Sequence, residues 1–135
     1  MDESASAEYA KLVAAAREAR QHAYCPYSGV AVGAAVLTRS GEVFTGCNVE
    51  NTTLGLTVCA ERNAISAAVR AGMRPGELAA LVVVGGDDEP LTPCGACRQV
   101  LAEFAANECP AICATPTGRI RAFTLGELLP HQFKR

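Results

Sequence analysis

Two short motifs in this chain carry side chains that bind metals and move protons. The first, at residues 59–62, places the thiol of Cys59 two positions before the carboxylate of Glu61. The second, at residues 93–99, places Cys94 and Cys97 three positions apart, directly after a proline. Three thiolates bind zinc and leave one tetrahedral position open, which distinguishes a catalytic zinc from a structural one. We therefore predict a zinc ion held by Cys59, Cys94 and Cys97, with Glu61 moving protons for an activated water.

The neighbours of these motifs offset the negative charge that three thiolates bring to a divalent metal. Cys59 and the Cys94/Cys97 pair fall in the predicted first turns of two helices, where free N–H groups and the helix dipole favour thiolates. Cys94 and Cys97 are about one turn apart, so they face the same way. Arg62 directly follows Glu61. We expect the Arg62 guanidinium to donate to a thiolate.

The pattern alone leaves other interpretations open. Two cysteines at this spacing are also typical of a redox pair or of half a structural zinc site. Glu61 by itself fits the start of a helix, where the dipole favours a carboxylate. Its place beside Cys59 favours the catalytic interpretation. A closed structural site would need a fourth protein ligand, and the candidates are Cys25, Cys47, Cys109, His22 and His131.

Length and composition indicate one domain spanning residues 1–135, with half of the residues apolar. The net charge of −2 and the lack of a basic run argue against a nucleic-acid polymer as partner. The sequence has no apolar stretch that is long enough to cross a bilayer. The segment 1–7 is polar and lacks the apolar centre of a signal peptide, so we predict a cytoplasmic protein.

Seven cysteines is an odd number in a chain with no secretion signal. Metal binding therefore explains them better than a disulfide framework. The four outside the two motifs lack partners at an informative spacing. We predict that these four are buried apolar thiols: Cys25, Cys47, Cys109 and Cys113.

Hydrophobic periodicity and turn residues predict alternating helices and strands. Helices are expected over residues 8–22, 58–71, 94–107 and 125–129. Strands are expected over residues 30–37, 43–47, 80–84, 111–114 and 119–123. Thr92 is predicted to cap the third helix, with Pro93 at its first position. This order suits a mixed sheet covered by helices on both faces.

Most of the chain resembles a known family, the short, three-cysteine cytidine deaminases. The zinc nucleobase deaminases share the signature [His/Cys]-x-Glu followed by Pro-Cys-x-x-Cys. The segments that carry the resemblance are Tyr24-Cys25-Pro26-Tyr27-Ser28, Val32-Gly33-Ala34-Ala35, Gly46-Cys47-Asn48-Val49-Glu50-Asn51, Cys59-Ala60-Glu61-Arg62, Pro93-Cys94-Gly95-Ala96-Cys97-Arg98-Gln99-Val100-Leu101 and Glu127-Leu128-Leu129-Pro130.

The resemblance implies an α/β fold, a three-layer α/β/α sandwich around a five-stranded mixed sheet. It also implies one Zn²⁺ per subunit, and a homotetramer whose active sites share residues between subunits. The partner would be a small nucleoside, with no nucleic-acid polymer and no membrane. The implied role is pyrimidine salvage in the cytoplasm.

The resemblance also assigns substrate-binding roles. Asn48 and Glu50 match positions that hydrogen-bond the ribose hydroxyls, although a polar turn explains them equally well. Ala60 would contact the base edge through its backbone. Tyr27 and Phe133 match positions that line or cap the site, in part from a neighbouring subunit. Ordinary packing of the C-terminus is the alternative for Phe133.

Two positions depart from the family pattern. The family usually has Phe where this chain has Val30, and Tyr where it has Leu54. An aromatic contact contributes about 0.5–1.5 kcal/mol beyond the area it buries. The loss of both rings is expected to open or reshape the base pocket.

We therefore predict zinc-dependent hydrolytic deamination of cytidine, deoxycytidine or a closely related aminopyrimidine nucleoside, with release of ammonia. Glu61 would act alternately as base and acid, so its pKa should be raised. One alternative keeps the chemistry and changes the substrate to a modified or N4-substituted cytidine or a blasticidin-S-like nucleoside, because of Val30 and Leu54. An alternative of another class is a non-catalytic structural zinc domain.

Overall fold

The computed structural model describes residues 3–135, with every side chain in that range except those of residues 3–6 and 8. Residues 1 and 2 of the predicted N-terminal segment lie outside the described residues. None of the helices that the structure describes has both the length and the apolar character needed to span a bilayer.

The predicted alternation of helices and strands is present, with shifted ends. The helices are α1 (Glu3–Arg20), α2 (Ala60–Arg70), α3 (Gly95–Phe104) and α4 (Leu125–Leu128). The strands are β1 (Gly33–Thr38), β2 (Val43–Cys47), β3 (Leu78–Val84), β4 (Pro110–Ala114) and β5 (Ile120–Thr124). α3 stops at Phe104 instead of residue 107 because the next residue, Ala105, is extended. The carbonyl of Asn107 then accepts the Gly126 N–H of α4 at 2.9 Å.

The five strands form one mixed sheet in the order β2-β1-β3-β4-β5. β1 pairs antiparallel with both β2 and β3. β3 and β4 are parallel, and β5 returns antiparallel to β4. The parallel pair is possible because α3 supplies the crossover between β3 and β4. The predicted five-stranded mixed sheet is therefore confirmed.

Alternate residues of the strands divide the core between the two faces of the sheet. On one face, Leu12 and Ala16 of α1 pack with Ala35 of β1 in one buried cluster. On the other face, Ile65 of α2 and Leu101 of α3 belong to a second cluster, whose strand members include Ala34, Val36, Leu81 and Val83. Helices thus cover both faces, which confirms the three-layer sandwich.

The start of α2 lies unusually close to β2, and a glycine makes this possible. A Cβ on Gly46 would lie 2.6 Å from the carbonyl oxygen of Ala60 and 2.5 Å from the amide nitrogen of Ala64. Real Cβ atoms do not approach backbone this closely. Gly46 therefore fixes how near the first turn of α2 comes to the sheet.

We expect Gly46→Ala to push the first turn of α2 outward and to lower the free energy of unfolding. Overpacking of this kind costs about 1–3 kcal/mol, which corresponds to a fall in Tm of roughly 3–10 °C for a chain of this size. Thermal unfolding followed by circular dichroism measures the shift. Gly55→Ala is the matched control, because a Cβ on Gly55 meets nothing within 4 Å. Equal Tm values for the two variants would contradict this role of Gly46.

Candidate metal centre and catalytic cleft

The N-termini of α2 and α3 bring together the three cysteines of the two motifs. Cys59 is the N-cap of α2, Cys94 is the N-cap of α3, and Cys97 lies in the first turn of α3. The Sγ atoms of Cys59 and Cys94 are 3.9 Å apart, and those of Cys94 and Cys97 are 3.5 Å apart. All three sulfur atoms lie within 4.8 Å of one another.

The predicted cap of α3 is wrong. α3 begins at Gly95 with Cys94 as its N-cap, whereas Thr92 and Pro93 precede the helix. Arg98 explains the difference, because its Nη2 donates to the Thr92 hydroxyl at 3.0 Å and its Nε donates to the Pro93 carbonyl at 2.6 Å. These bonds hold Thr92 and Pro93 outside the helix. Cys94 therefore takes the N-cap position, next to the free N–H groups of the first turn.

The geometry of the sulfur atoms fits a zinc ion. Zn–S bonds of about 2.3 Å in a tetrahedron place two sulfurs roughly 3.8 Å apart, close to the separations seen here. Within residues 3–135, no other His, Cys, Asp or Glu joins the cluster. The five residues considered as a fourth ligand therefore do not join the cluster, and a zinc held by the three cysteines would have one tetrahedral position available for water or substrate.

The helix start also affects the proton affinity of the cluster. Burial opposes ionisation of Cys94, but hydrogen bonds from the backbone of Cys97 and Ala96 and from neighbouring thiols lower its pKa overall. Burial raises the pKa of Cys97, and the negative charge of Glu61 adds to this effect. Zinc replaces these protons when it binds, because thiolates are the ligands.

The other four cysteines divide into two pairs. Cys109 and Cys113 are buried, and burial raises the pKa of each thiol to about 11. The prediction of buried apolar thiols is confirmed for these two. It is wrong for Cys25 and Cys47, which are only partly buried. Cys25 lies in the loop after α1, and Cys47 ends the edge strand β2, so neither is covered on both faces.

Arg62 lies beside the sulfur cluster. Its Nη2 donates to the Sγ of Cys59 and to the carbonyl of Thr57, each at 3.4 Å. The hydrogen bond to Cys59 raises the pKa of Arg62 further above its usual range. Its Nε is buried without a hydrogen-bond partner among the described residues. The guanidinium charge thus lies against the thiolate that needs compensation.

Glu61 lies at the base of the same cleft, in the first turn of α2. Its side chain is buried, with 5% exposed. Burial raises the pKa of the Glu61 carboxyl, and a hydrogen bond from Cys97 and the charge of Arg62 only partly oppose this effect. A carboxyl whose pKa is raised toward neutrality exchanges a proton with substrate more readily than an ordinary glutamate does.

The cleft above the cluster has a volume of about 220 Å³. This is slightly below the range of about 300–1,000 Å³ typical of drug-sized ligands, so it suits a small molecule. Its walls combine apolar side chains with hydroxyl and amide groups. The residues that line it are Ser28, Val30, Val32, Asn48, Thr57, Cys59, Ala60, Glu61, Val83, Leu91, Thr92 and Cys94.

Asn48 holds one wall of this cleft in place. Its Oδ1 accepts the Val32 N–H at 2.8 Å, and its Nδ2 donates to the Val30 carbonyl at 2.8 Å. The side chain is 8% exposed. Both polar atoms of the amide are therefore bonded to the backbone of the segment that carries Val30.

The Glu50 carboxylate stabilises the turn at Tyr27 and Ser28, which precedes Val30. Its Oε1 accepts the N–H groups of Tyr27 and Ser28, and its Oε2 accepts the Ser28 hydroxyl at 2.5 Å. The Ser28 hydroxyl lowers the pKa of Glu50, and the two N–H groups add to this effect despite an opposing contribution from burial. Ser28 Oγ also accepts the Val30 N–H at 3.0 Å. Sequence reasoning missed Ser28, because only its place in a loop with proline and glycine marks it.

Of the other residues discussed for substrate binding, only Ala60 lies in the cleft of the single chain. The Tyr27 hydroxyl bonds to that of Thr52 at 2.6 Å, and Tyr27 is half exposed. Phe133 and Leu54 are each 70% exposed. Tyr27, Phe133 and Leu54 do not line the cleft of the single chain.

Comparison with known proteins also indicates a zinc-binding site in this part of the chain. The family model for the cytidine and deoxycytidylate deaminase zinc-binding region matches residues 6–113. The chain is 44% identical to a cytidine deaminase of Sporosarcina psychrophila over 125 residues, which are 93% of this chain and 90% of that protein. The crystal structure of cytidine deaminase from Burkholderia pseudomallei matches with a TM-score of 0.89 and 48% identity, over 93% of this chain and 98% of that one.

A blasticidin-S deaminase of Bacillus cereus is also similar, with 31% identity over 110 residues that span 77% of each chain. The match of the family model to most of the chain includes the three cysteines of the cluster. The chain therefore belongs to the cytidine and deoxycytidylate deaminase family, and its cofactor is zinc.

Proposed function

We propose that this protein deaminates cytidine or deoxycytidine by hydrolysis, releasing ammonia and the uridine-type product. One observation supports this reaction above the others: the buried carboxyl of Glu61 shares a small cleft with Cys59 and Cys94 of the sulfur cluster. A proton carrier beside an open metal position is what attack of water on an aminopyrimidine requires. A purely structural zinc site does not require a buried carboxyl group beside the metal ligands.

The cysteines, Glu61 and Arg62 have different roles in this reaction. Zinc, when bound by Cys59, Cys94 and Cys97, supplies a Lewis acid that lowers the pKa of water. Glu61 would accept the first proton of the water and deliver it to N3 of the pyrimidine, while the water oxygen bonds to C4. Glu61 would then take the second proton, from the hydroxyl now on C4, and deliver it to the exocyclic amine. The C4–N bond breaks, a C4 carbonyl forms, and the amine leaves as ammonia. Arg62 offsets part of the thiolate charge through Cys59.

The charge of the cleft favours a nucleoside over a nucleotide. The residues that line it include no Lys and no Arg, and Glu61 is the one carboxylate among them. A phosphate buried without a cationic partner keeps an uncompensated desolvation cost. Cytidine and deoxycytidine therefore fit the cleft better than deoxycytidylate.

The test measures ammonia release by the zinc-loaded protein from cytidine, deoxycytidine and deoxycytidylate. We expect kcat/KM for deoxycytidine to exceed that for its monophosphate by at least about tenfold, since a desolvation cost above ~1.4 kcal/mol has this effect. Faster turnover of the monophosphate would contradict the preference for nucleosides. No release of ammonia from any of the three would contradict this proposal and leave two alternatives, a modified or blasticidin-S-like cytosine nucleoside as the substrate or a non-catalytic zinc domain.

The other assignments that rest on the resemblance belong to the same proposal. In the assembled enzyme, Asn48 and Glu50 bind the ribose, and the Ala60 backbone contacts the base. Tyr27 and Phe133 cap the site in a homotetramer, and their exposure in the single chain supports a partner surface. The cytoplasmic location and the role in pyrimidine salvage stay predictions.

A further inference from the structure

The wall of the cleft that carries Val30 is an irregular segment, residues 28–32, which lies outside every helix and strand that the structure describes. Ser28, Val30 and Val32 of this segment line the cleft. A segment without a regular ladder of backbone hydrogen bonds must find other partners, and here most of them are side chains. The position of the wall therefore depends on a small number of side-chain hydrogen bonds.

The Ser28 hydroxyl links two of these hydrogen bonds. It donates to Oε2 of Glu50 at 2.5 Å and accepts the N–H of Val30 at 3.0 Å. Gly29, between the two residues, has a φ of +72°, a conformation that favours glycine and brings the Val30 N–H back toward the Ser28 side chain. Glu50 itself is not among the described residues that line the cleft. The Glu50 carboxylate therefore acts on the cleft wall through Ser28.

The Glu50 carboxylate is a fixed support for this link. Its Oε1 accepts the N–H groups of Tyr27 and Ser28, at 2.9 and 3.1 Å. The backbone N–H of Glu50 donates to the Tyr24 carbonyl at 2.8 Å. Glu50 keeps these hydrogen bonds when the Ser28 hydroxyl is removed. Loss of the hydroxyl is therefore expected to release Val30 and to leave Glu50 in place.

The N–H group of Val30 has a single partner. Within residues 3–135, that partner is the Ser28 hydroxyl. The Asn48 amide binds the Val30 carbonyl from the other side, but the Val30 side chain is 45% exposed, so packing does not fix it. Without the Ser28 hydroxyl, Val30 can turn about its remaining hydrogen bond to Asn48, and its side chain then moves relative to the cleft.

The groups that carry out the reaction lie outside this network. None of the hydrogen bonds described for residues 28–32 involves Glu61 or a cysteine of the sulfur cluster. A shift of the wall therefore changes how the cleft holds the substrate in the ground state and in the transition state alike, and it leaves metal binding and proton transfer in place. Loss of such uniform binding raises KM and leaves kcat unchanged.

We propose that Ser28 is a positioning residue of the deaminase, whose hydroxyl sets the affinity for the nucleoside by holding Val30 to the fixed carboxylate of Glu50. This inference rests on the proposed function, because it concerns substrate binding in the same cleft. A serine suits this role because one hydroxyl donates to a carboxylate and accepts an N–H at the same time. Alanine at this position would leave the Val30 N–H without a protein partner.

The test measures KM and kcat for cytidine and deoxycytidine with the zinc-loaded protein and its variants. Ser28→Ala removes the hydroxyl. Ser28→Thr and Ser28→Val form a matched pair, because the two new side chains have nearly the same shape and only threonine carries a hydroxyl. Ser40→Ala is the control, because the Ser40 hydroxyl also donates to a carboxylate, that of Glu42 at 3.2 Å, but Ser40 does not line the cleft. The zinc content and Tm of each variant report whether the metal site and the fold are intact.

Ser28→Ala should raise KM by about fivefold, as expected for the loss of one hydrogen bond, while kcat stays within about twofold. KM of Ser28→Val should exceed that of Ser28→Thr by a similar factor. Ser40→Ala should change neither constant by more than about twofold. Equal KM values for Ser28→Val and Ser28→Thr, a fall in kcat as large as the rise in KM, or the same rise in KM for Ser40→Ala would overturn the role of Ser28 and leave the proposed function standing. Failure of the unchanged protein to release ammonia from either nucleoside would overturn the proposed function, and this inference with it.

Discussion

We expect Glu61→Gln to lower kcat for cytidine by about a thousandfold or more, while the zinc content stays that of the unchanged protein. The amide has nearly the shape of the carboxyl, but it cannot take a proton from water or give one to the leaving amine. General acid–base catalysis contributes roughly 10²–10⁴ for one transfer, and here one residue serves more than one transfer. Steady-state ammonia release and elemental analysis of the same sample measure both quantities.

Two controls separate this loss from damage to the fold. Burial already disfavours the charged form of Glu61, so an uncharged amide should leave Tm close to that of the unchanged protein. Glu108→Gln makes the same chemical change at an exposed position far along the chain and should keep full turnover. If Glu61→Gln retained more than about a tenth of the activity, the proton-transfer role would be wrong.

We expect Cys97→Ser to lose turnover and zinc binding together. A hydroxyl is a much weaker ligand for zinc than a thiolate, so zinc affinity should fall by at least about a hundredfold. An ion that binds only the folded protein at a hundred times its Kd stabilises it by about 2.7 kcal/mol, or roughly 8 °C in Tm here. Zinc should therefore raise Tm of the unchanged protein by this amount and leave Tm of Cys97→Ser unchanged.

The zinc-dependent shift is the informative quantity, because Cys97 is buried and its substitution also costs stability without metal. Cys25→Ser is the matched control, since Cys25 is a thiol outside the cluster. Its zinc content and its zinc-dependent Tm shift should equal those of the unchanged protein. A normal zinc content in Cys97→Ser would show that the metal is held elsewhere.

Much of the fold follows from local sequence pattern. The continuous apolar run that contains β1, its hairpin with β2 and the β-branched segment of β3 were predictable, because burial and turn residues act within a few positions. The ends of the helices were less predictable from the sequence. α3 begins at Gly95, where Arg98 binds the two residues before the cap, and it ends at Phe104, after which Ala105 is extended and Asn107 binds α4. Such contacts depend on tertiary structure that periodicity does not encode.

The metal cluster was predictable for a different reason. Cys94 and Cys97 are neighbours on one helix turn, so their spacing alone sets their separation. The convergence of Cys59 with them depends on the sheet. It was predicted from the residue types of the two motifs, and the resemblance supported it. The hydrogen bonds of Ser28 had no sequence signal, because they arise where separate loops meet.

Asn48 has a structural role that is independent of its proposed contact with the ribose. Its amide is already occupied by the loop that carries Val30, with bonds to residues 16 and 18 positions away. A replacement here would shift that loop even if no sugar were ever bound. Substitution of other residues in the loop that carries Val30 is therefore an easier route to a new nucleoside substrate than substitution of Asn48, because the Asn48 amide anchors that loop.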